Sequence, residues 1–321
     1  MADSPGRITL WGVEVFVATA EEGAISAAAR RLGASPSAVS QQLSNLEAAI
    51  GATLLHRNTR PVTLTPAGEI FRRRAGAILN EAALARAELA MADMASLTRF
   101  RLGMIEDFEI DVTPRLLTRL AEDLRGCQFL LETGASHHLH DLLDARALDV
   151  IVAADMGAEA DWMERHPLLT EGFVVAAPRG VIDDGACVLS QLKALPLVHY
   201  TTRHHMGRQI ASHLARQDLR LSPRFELDSY HAILAMVGQG VGWTILTPLA
   251  LMRAARFADQ LDVMALPFAP LERTITLTAR RGVLQDMPGR VAGVLRPLLK
   301  AAVLDSAVSR HPFMRDVLRV H

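Results

Sequence analysis

Hydrogen-bonding side chains are concentrated between positions 35 and 41, where serines and a glutamine follow one another at short spacing. A glutamine can pair with two edge atoms of adenine, and serine hydroxyls can bind bases or phosphates. Residues 26–74 also carry seven arginines against two acidic residues, a net charge of +5, which supplies sequence-independent affinity for phosphate. The residues that we expect to contact DNA are Arg30, Arg31, Ser35, Pro36, Ser37, Ser40, Gln41, Arg57, Arg60 and Arg72.

The charge of the whole chain conceals this basic segment. Its 321 residues contain 34 basic and 35 acidic side chains, so the formal net charge is −1. A neutral total argues at first sight against a nucleic-acid partner. It is nevertheless a sum over unlike segments, and it says nothing about the partner.

The residues around positions 24–43 predict a helix-turn-helix. One helix is expected to stop at Gly23, and a second to begin after an N-cap at Ser26. Gly33 ends the second helix, and a third begins with Ser35 as N-cap and Pro36 at its first position. Two short helices separated by three residues are typical of this motif, in which the second helix enters the major groove. The polar, β-prone residues 55–65 predict a wing-like hairpin.

A long helix is predicted from Pro66 to about residue 94, because Thr65 is a good N-cap and no proline interrupts the segment. Apolar residues recur in it in steps of four and three, which is typical of a coiled-coil seam. The members of this seam are Phe71, Ala75, Ile78, Ala82, Ala85, Leu89 and Ala92. We favour a dimer contact over a helix that packs on the core of its own chain, because the helix is long and lies between domains.

From residue 98 onward, strands alternate with helices, which predicts parallel strands with right-handed crossovers. A second such series begins at residue 172, and the chain returns through a strand at 274–279 and a helix at 291–304. This pattern indicates two α/β lobes, with a ligand cleft at the carboxyl ends of their strands. We therefore predict a multidomain α/β protein with a DNA-binding domain (1–65), a linker helix (66–95), an effector domain (98–304) and a tail (305–321). Lobe I is expected at about 98–169 with 262–304, and lobe II at about 170–261.

A dense pattern of residues runs through positions 16–68 of this chain. Its members are Phe16, Ala20, Gly23, Ile25, Ser26, Ala28, Ala29 and Leu32, then Ser35, Ser37, Ala38, Val39, Ser40, Gln42, Leu43, Leu46 and Glu47, and finally Gly51, Leu54, Leu55, Arg57, Arg60, Leu64, Thr65, Ala67 and Gly68. This pattern closely resembles the LysR-type transcriptional regulators. The likeness is specific over about residues 10–71 and continues in the architecture to about residue 304.

The resemblance implies a winged helix-turn-helix, a linker helix and a two-lobed effector domain of the periplasmic-binding-protein type. It implies homodimers formed through the linker helix, which assemble into tetramers on promoter DNA, with RNA polymerase as a further candidate partner. Two cysteines without a CxxC pair favour a reducing, cytoplasmic setting, and we expect no membrane attachment, cofactor, bound metal or enzymatic activity. The partner of the cleft would be a small-molecule effector that the sequence does not identify.

Family position also selects the residues of the effector site. They lie in the turn after the first effector strand, at the start of the next helix, and in the second lobe. The residues that we expect to line the site are Glu106, Asp107, Phe108, Ser136, His137, Thr202, Arg203, His204, Tyr230 and Trp243.

The chemistry of the effector is left open by these residues. Glu106 and Asp107 depart from the small residues that are usual at that turn, and acids beside aromatic rings suit a cationic or zwitterionic ligand. Alternatively, Arg203 and His204 would hold an anion by charge-assisted hydrogen bonds. A third interpretation gives the two carboxylates no ligand role, because they are solvated or paired with Arg203.

Several other functions are disfavoured. Frequent histidines suggest a zinc or nickel sensor, but none is paired at helical spacing with a third ligand. Cys127 and Cys187 are expected to be buried and inert, although a redox-responsive regulator stays as an alternative. The α/β part contains no nucleophile elbow, Walker motif or dinucleotide fingerprint, which argues against an enzyme. The absence of a signal peptide argues against a periplasmic solute-binding protein. The uncharged stretch 230–252 is broken by glycines and is not expected to span a membrane.

Overall fold

The computed structural model describes residues 7–89, 97–157, 160–183, 186–219, 221 and 223–321. The chain divides into two compact units. The first runs up to Thr98 and includes Leu142–Leu148, and the second comprises Arg99–Asp141 and Asp149–His321. Among the described residues, no helix combines the length and apolar character that crossing a membrane requires.

The first unit is a three-helix domain with a short hairpin and a long following helix. Its elements are α1 (Leu10–Glu22), α2 (Ile25–Arg31), α3 (Pro36–Ile50), β1 (Leu55–His56), β2 (Thr63–Leu64) and α4 (Pro66–Leu89). The predicted helix-turn-helix and wing are therefore present, with β1 antiparallel to β2. Buried side chains of α1 and α3, among them Phe16, Val39 and Leu43, form the core that fixes the two helices.

Local signals set most helix ends in this unit. Ser35 caps α3 by accepting a hydrogen bond from the backbone N–H of Ala38 at 3.2 Å, as expected. Gly33 has a φ of 64°, a left-handed conformation that glycine adopts without a steric penalty, so the turn before α3 can be tight. The predicted N-cap at Ser26 is wrong, because Ala24 occupies that position and α2 begins at Ile25. Ile25 packs against the core, which draws the start of the helix forward.

The first part of α4 packs on its own unit. Ala75 is fully buried, and the ring of Phe71 meets that of Phe16 at 5.2 Å between centroids. The alternative of a helix packed on its own chain is thus correct for these two positions, and the dimer seam is wrong there. Ile78, at 37% exposure, remains available to a partner. The side chain of Leu89 and all of residue 92 lie outside the described residues.

The second unit begins with the strands and helices of lobe I. They are β3 (Arg99–Ile105), α5 (Thr113–Asp123), β4 (Gln128–Gly134), α6 (Ser136–Asp144), β5 (Val150–Ala154) and β6 (Met163–Gly172). Lobe II follows with β7 (Val174–Pro178), α7 (Val188–Ala194), β8 (Leu197–Tyr200), α8 (His205–Arg216), β9 (Pro223–Leu227), α9 (Tyr230–Gly238), β10 (Thr244–Leu246), α10 (Pro248–Arg253) and β11 (Leu261–Ala265). The chain then returns to lobe I with β12 (Glu272–Arg280), α11 (Met287–Leu299), α12 (Ser306–Arg310), α13 (Met314–Val317) and β13 (Leu318–Val320).

Lobe I is built on a six-stranded sheet in the order β13-β6-β12-β5-β3-β4. Strand β3 is parallel to β4 and β5, as the alternating pattern predicted. In lobe II, β8 and β9 are parallel, but β7 lies antiparallel to both β10 and β11. A fully parallel second series is therefore wrong, because the chain enters the lobe along β7 and leaves it along β11 in the opposite direction.

The two chain crossings between the lobes lie side by side. The backbone N–H of Phe173, between β6 and β7, donates to the carbonyl of Leu271, before β12, at 2.8 Å. Because both crossings are short and hydrogen-bonded to each other, they form a hinge between two lobes of the predicted type.

Three features of this unit were not anticipated. Strand β6 has no uniform alternation, since its first half is partly exposed and its last five residues are buried. Strand β11 pairs with β7, so the expected return to lobe I at residue 262 is wrong and lobe II extends to about residue 265. The tail is ordered into helices and into β13, which pairs with β6 at the edge of the lobe I sheet.

Candidate functional site

The start of α3 presents a row of polar side chains. Ser35 and Ser37 are exposed, and their hydroxyl oxygens are 3.0 Å apart. Gln41 is also exposed and donates from Nε2 to Oδ1 of Asn45, one turn later, at 3.0 Å. The predicted row thus lies at the N-terminal end of the second helix of the motif, where base edges are usually met. Asn45 extends it, although sequence reasoning did not select this residue.

The arginines of this unit fall into two groups. Arg30, Arg60 and Arg72 are exposed and form no ion pair with another described residue, so their charges are available to phosphate. Arg31 donates to Glu21 at 2.7 Å and to Glu22 at 3.3 Å, which neutralises much of its charge.

Arg57 has a structural position that the sequence did not indicate. Its guanidinium forms an ion pair with Glu47 and donates to the hydroxyl of Ser44 at 3.0 Å. The other oxygen of Glu47 accepts the backbone N–H groups of Leu54 and Leu55 at 2.7 and 3.2 Å. Arg57 and Glu47 therefore fasten the wing to α3, and Arg57 is in contact with its own domain.

A cavity of about 130 Å³ lies between the two lobes of the second unit. It is lined by residues that follow the carboxyl ends of β3, β4 and β5 in lobe I and of β8 and β9 in lobe II. Six of the ten predicted effector residues line it: Glu106, Asp107, Ser136, His137, His204 and Tyr230. The sequence missed Tyr200, His205, Gln209, Asp228 and Arg273, which line it as well.

Four predicted effector residues lie elsewhere. Phe108 and Trp243 are fully buried in the cores of their lobes, so the expected aromatic wall at Trp243 is wrong. The amide and the hydroxyl of Thr202 both donate to Glu226, at 2.9 and 3.2 Å. Arg203 donates from Nε to the hydroxyl of Thr201 at 3.4 Å and does not line the cavity. The pairing with Arg203, which was one possibility for the two carboxylates, does not occur among the described contacts of Asp107.

Asp107 pairs with Arg273, which comes from β12. Nη2 of Arg273 donates to Oδ2 of Asp107 at 3.1 Å and to the hydroxyl of Thr247 at 3.3 Å. Nε of Arg273 donates to Oε1 of Glu171 at 2.7 Å, and Glu171 is fully buried. Burial raises the pKa of Glu171, against the opposing effect of Arg273. One guanidinium is thus held by two carboxylates at the hinge side of the cavity.

Other polar groups of the cavity are positioned by the helix starts. Ser136 begins α6, and its hydroxyl accepts the backbone N–H of Ala154 at 3.1 Å.

Two titratable side chains of the cavity have shifted pKa values. Burial raises the pKa of Tyr200 to about 12. Burial, with help from the charge of Arg208, lowers the pKa of His205. Both tyrosine and histidine are therefore uncharged at neutral pH.

Histidines and cysteines give no metal site in the described part of the chain. The rings of His137 and His204 lie 5.8 Å apart across the cleft. Within that part, no three His, Cys, Asp or Glu side chains are grouped to hold a metal ion.

Cys187 is exposed, and its hydrogen bonds from Ser190 lower the pKa of the thiol, so the expectation that both cysteines are buried and inert is wrong. Cys127 is half-buried, and burial raises its pKa.

Comparison with known proteins gives matches over both units. Residues 10–69 match the family described as bacterial regulatory helix-turn-helix protein, lysR family, and residues 96–290 match the LysR substrate binding domain. A probable hydrogen peroxide-inducible genes activator of Mycobacterium xenopi is 34% identical over 180 residues, which are 56% of this chain and 95% of that relative. A relative from Mycobacterium avium with the same description is also 34% identical over 180 residues, which are 58% of its own length.

Two solved structures are similar in fold to this protein over most of its length. A cysteine-to-serine mutant of Corynebacterium glutamicum OxyR, solved with H2O2 bound, is 26% identical, with a TM-score of 0.56 over 94% of this chain and 98% of that chain. The LysR family regulator CbnR, solved in complex with its target DNA, is 19% identical. Its TM-score is 0.59 over 91% of this chain and 100% of that chain, a likeness of fold.

Proposed function

Because the chain belongs to the LysR family of transcriptional regulators, we propose that α3 binds the major groove of promoter DNA and that an effector in the cleft controls this binding. The observation that carries the first part is the exposed row Ser35, Ser37 and Gln41 at the N-terminal end of α3. Exposed Arg30, Arg60 and Arg72 add affinity for phosphate around this row. Gln41 then contributes sequence preference, through paired hydrogen bonds to adenine.

Control by an effector follows from the arrangement of the second unit. A ligand between the lobes contacts both, so it favours one relative position of the lobes over others. If the effector changes the DNA affinity by some factor, linkage requires that bound DNA change the effector affinity by the same factor. We expect this regulator to carry no catalytic activity, because its α/β part lacks a nucleophile elbow, a Walker motif and a dinucleotide fingerprint.

Assembly with other chains is part of the proposal. Two copies would bring two recognition helices to the half-sites of a partly palindromic operator. Ile78, which is exposed on α4 although the neighbouring Leu79 packs on the core of the unit, supports a dimer contact on the outer face of this helix. Tetramers, contact with RNA polymerase and a cytoplasmic location stay as expectations from the family.

A redox-responsive regulator is the second candidate. It is favoured by the descriptions of the relatives as peroxide-inducible activators and by the exposed thiol of Cys187. The sequence contains two cysteines, and neither lines the cavity between the lobes. An effector in this cavity would therefore act without a reaction at either thiol, and a redox trigger would act at a separate site. Loss of DNA binding on peroxide treatment in the wild type, but not in Cys187→Ser, would favour the redox candidate instead.

DNA recognition is tested without knowledge of the target gene. The full-length chain selects sites from a random-sequence DNA pool, and the enriched sequence is then used for footprinting. We expect Gln41→Ala to lose about 1–3 kcal/mol of binding free energy on that sequence. Gln217→Ala is the matched control, because Gln217 is an exposed glutamine of the second unit. Failure to enrich any sequence, or equal affinity of Gln41→Ala and wild type, contradicts the proposal.

A further inference from the structure

Two carboxylates face the cavity from opposite lobes without an ionic partner. Glu106 follows β3 in lobe I, and Asp228 follows β9 in lobe II, and both side chains line the cavity. Neither forms an ion pair with another described residue. Because each belongs to a different lobe, a cation between them would contact both lobes at once.

Two of the cationic groups near these carboxylates are engaged or neutral, and Arg208, which is exposed, does not line the cavity. Nε and Nη2 of Arg273 are bound to Glu171, Asp107 and Thr247, so its charge is matched by two buried or half-buried carboxylates. His205 has a lowered pKa because of its burial, so it carries little positive charge at neutral pH. Among the lining residues, three carboxylates (Glu106, Asp107 and Asp228) thus stand against one arginine, which gives the lining an excess of negative charge.

Two further polar atoms beside the cavity lack hydrogen-bond partners among the described residues. Oε1 of Gln209 and Nε2 of His205 are both inaccessible to solvent and have no hydrogen-bond partner in the described structure. The two residues are four positions apart on α8, so they lie on the same face of the helix. An unmatched buried polar atom is costly, so a ligand N–H group that Oε1 of Gln209 reaches by a side-chain rotation removes this cost. Tyr200 and Tyr230 add aromatic rings, which attract cations through their faces.

We propose that the effector is a small organic cation, with an ammonium group held between Glu106 and Asp228. This inference rests on the proposed function, because it identifies the chemistry of the ligand in the same cleft. The cavity, at about 130 Å³, is smaller than the roughly 300–1,000 Å³ of sites for drug-sized ligands, so the cation has few heavy atoms. By bridging a carboxylate of each lobe, it stabilises the closed position of the two lobes.

An anionic effector is the alternative that the cavity supports less. For the remaining nitrogen of Arg273, Nη1, the sulfur of Met206 at 4.0 Å is the one acceptor among the described residues. A carboxylate could accept from it, but it would lie in the same small cavity as Glu106, Asp107 and Asp228. Water screens part of the repulsion because Glu106 and Asp228 are exposed, but three carboxylates on one lining still disfavour the approach of a fourth. The anion is therefore an outcome that the experiment has to distinguish.

The experiment measures thermal unfolding of the full-length chain with pairs of small molecules of similar size and opposite charge. The probes are ethanolamine with glycolate, putrescine with succinate, and choline with 3,3-dimethylbutyrate. We expect at least one amine to raise the Tm by several degrees in a concentration-dependent manner, and its anionic counterpart to leave the Tm unchanged. Calorimetric titration of the active amine then gives its Kd.

Variants assign the binding to the two carboxylates. We expect Glu106→Gln and Asp228→Asn each to weaken the amine at least about tenfold, because one charge partner of the ammonium is lost. Asp228→Glu should recover part of the affinity, since it restores the charge. Glu132→Gln is the matched control, because Glu132 is an exposed acid of lobe I that does not line the cavity.

The outcomes separate this inference from the proposed function. Stabilisation by the carboxylates alone, by none of the amines, or equally in wild type and Asp228→Asn overturns the cation. DNA affinity of the wild-type chain is measured independently, on the enriched sequence. A chain that binds amines but no DNA contradicts the proposed regulator and leaves the cation standing. A chain that binds DNA but no amine contradicts the cation alone.

Discussion

Arg273 and Glu171 form an ion pair that solvent scarcely reaches, with 2.7 Å between Nε and Oε1. The side chain of Arg273 is 9% exposed and that of Glu171 is fully buried. The second oxygen of Glu171 accepts the backbone N–H of Leu249, at the start of α10, at 3.0 Å. The pair therefore joins β12 and β6 at the hinge of lobe I to a helix of lobe II.

Removal of Arg273 should destabilise the second unit strongly. Arg273→Met leaves Glu171 buried without its cation, and we expect the free energy of unfolding in urea to fall by about 3–5 kcal/mol. The double variant Arg273→Met with Glu171→Leu removes both charges, so it should recover a substantial part of the loss. A single variant as stable as wild type would mean that the pair does not support the hinge.

Arg57 and Arg60 should differ in what they contribute to DNA binding. Arg60 is exposed and free of ion pairs with other described residues, so Arg60→Ala should reduce the slope of log affinity against log salt by about 1. Arg57 is fastened to Glu47 and Ser44, so Arg57→Ala should mainly lower the Tm of the first unit and change the salt slope less. Equal salt slopes for the two variants would contradict this distinction.

The two cysteines should react at different rates. Cys187 is exposed and its thiol has a lowered pKa, because it accepts hydrogen bonds from Ser190. Cys127 is half-buried and its pKa is raised by burial, so less thiolate is present. We expect iodoacetamide to alkylate Cys187 first at pH 7.5, as followed by peptide mass spectrometry. Ser190→Ala should slow this reaction, and equal rates at both thiols would refute the assignment.

Stability should fall on mild acidification. Burial lowers the pKa values of His140, His199, His205 and His311, so the folded chain favours their neutral forms. As the pH falls below about 6.5, these histidines take up protons in the unfolded chain before they do so in the folded chain. The free energy of unfolding therefore decreases until the pH has passed the lowered pKa values of the folded chain. We expect the free energy of unfolding in urea to decrease from pH 7.5 to pH 5.5.

A variant localises this effect. His199→Gln removes one of the four titrations and should make the pH dependence shallower than in wild type. The exposed His56→Gln serves as the control and should follow the wild-type curve. A free energy of unfolding that rises as the pH falls would show that these histidines gain protons on folding.

Much of the first unit was predictable from sequence, because its signals are local. The cap at Ser35, the turn at Gly33 and the wing at 55–65 depend on residues only a few positions apart. The role of Arg57 was not predictable, since its partner Glu47 lies ten positions earlier, on α3. A basic residue in a wing suggests phosphate contact until its neighbours in space are known.

The effector site was predictable only in part. Family position found Glu106, Ser136 and Tyr230, because these residues follow strand ends that the alternating pattern already marked. Trp243 was misplaced, because an aromatic residue beside a glycine turn suits a core as well as a cavity wall. Strand β6 escaped detection, since its partly exposed half hides the pattern of its buried half.

The sequence by itself determined the family, the recognition helix and the order of the lobes, because short-range spacing specifies helix ends, turns and strands. Only the tertiary structure decided which charges meet. Asp107 and Arg273 are 166 positions apart, and they come into contact because the chain crosses the hinge twice. That contact leaves Glu106 and Asp228 as the unpaired charges of the cleft among the described residues. The ligand chemistry follows from charges that remain unmatched after folding, and residue spacing alone does not encode it.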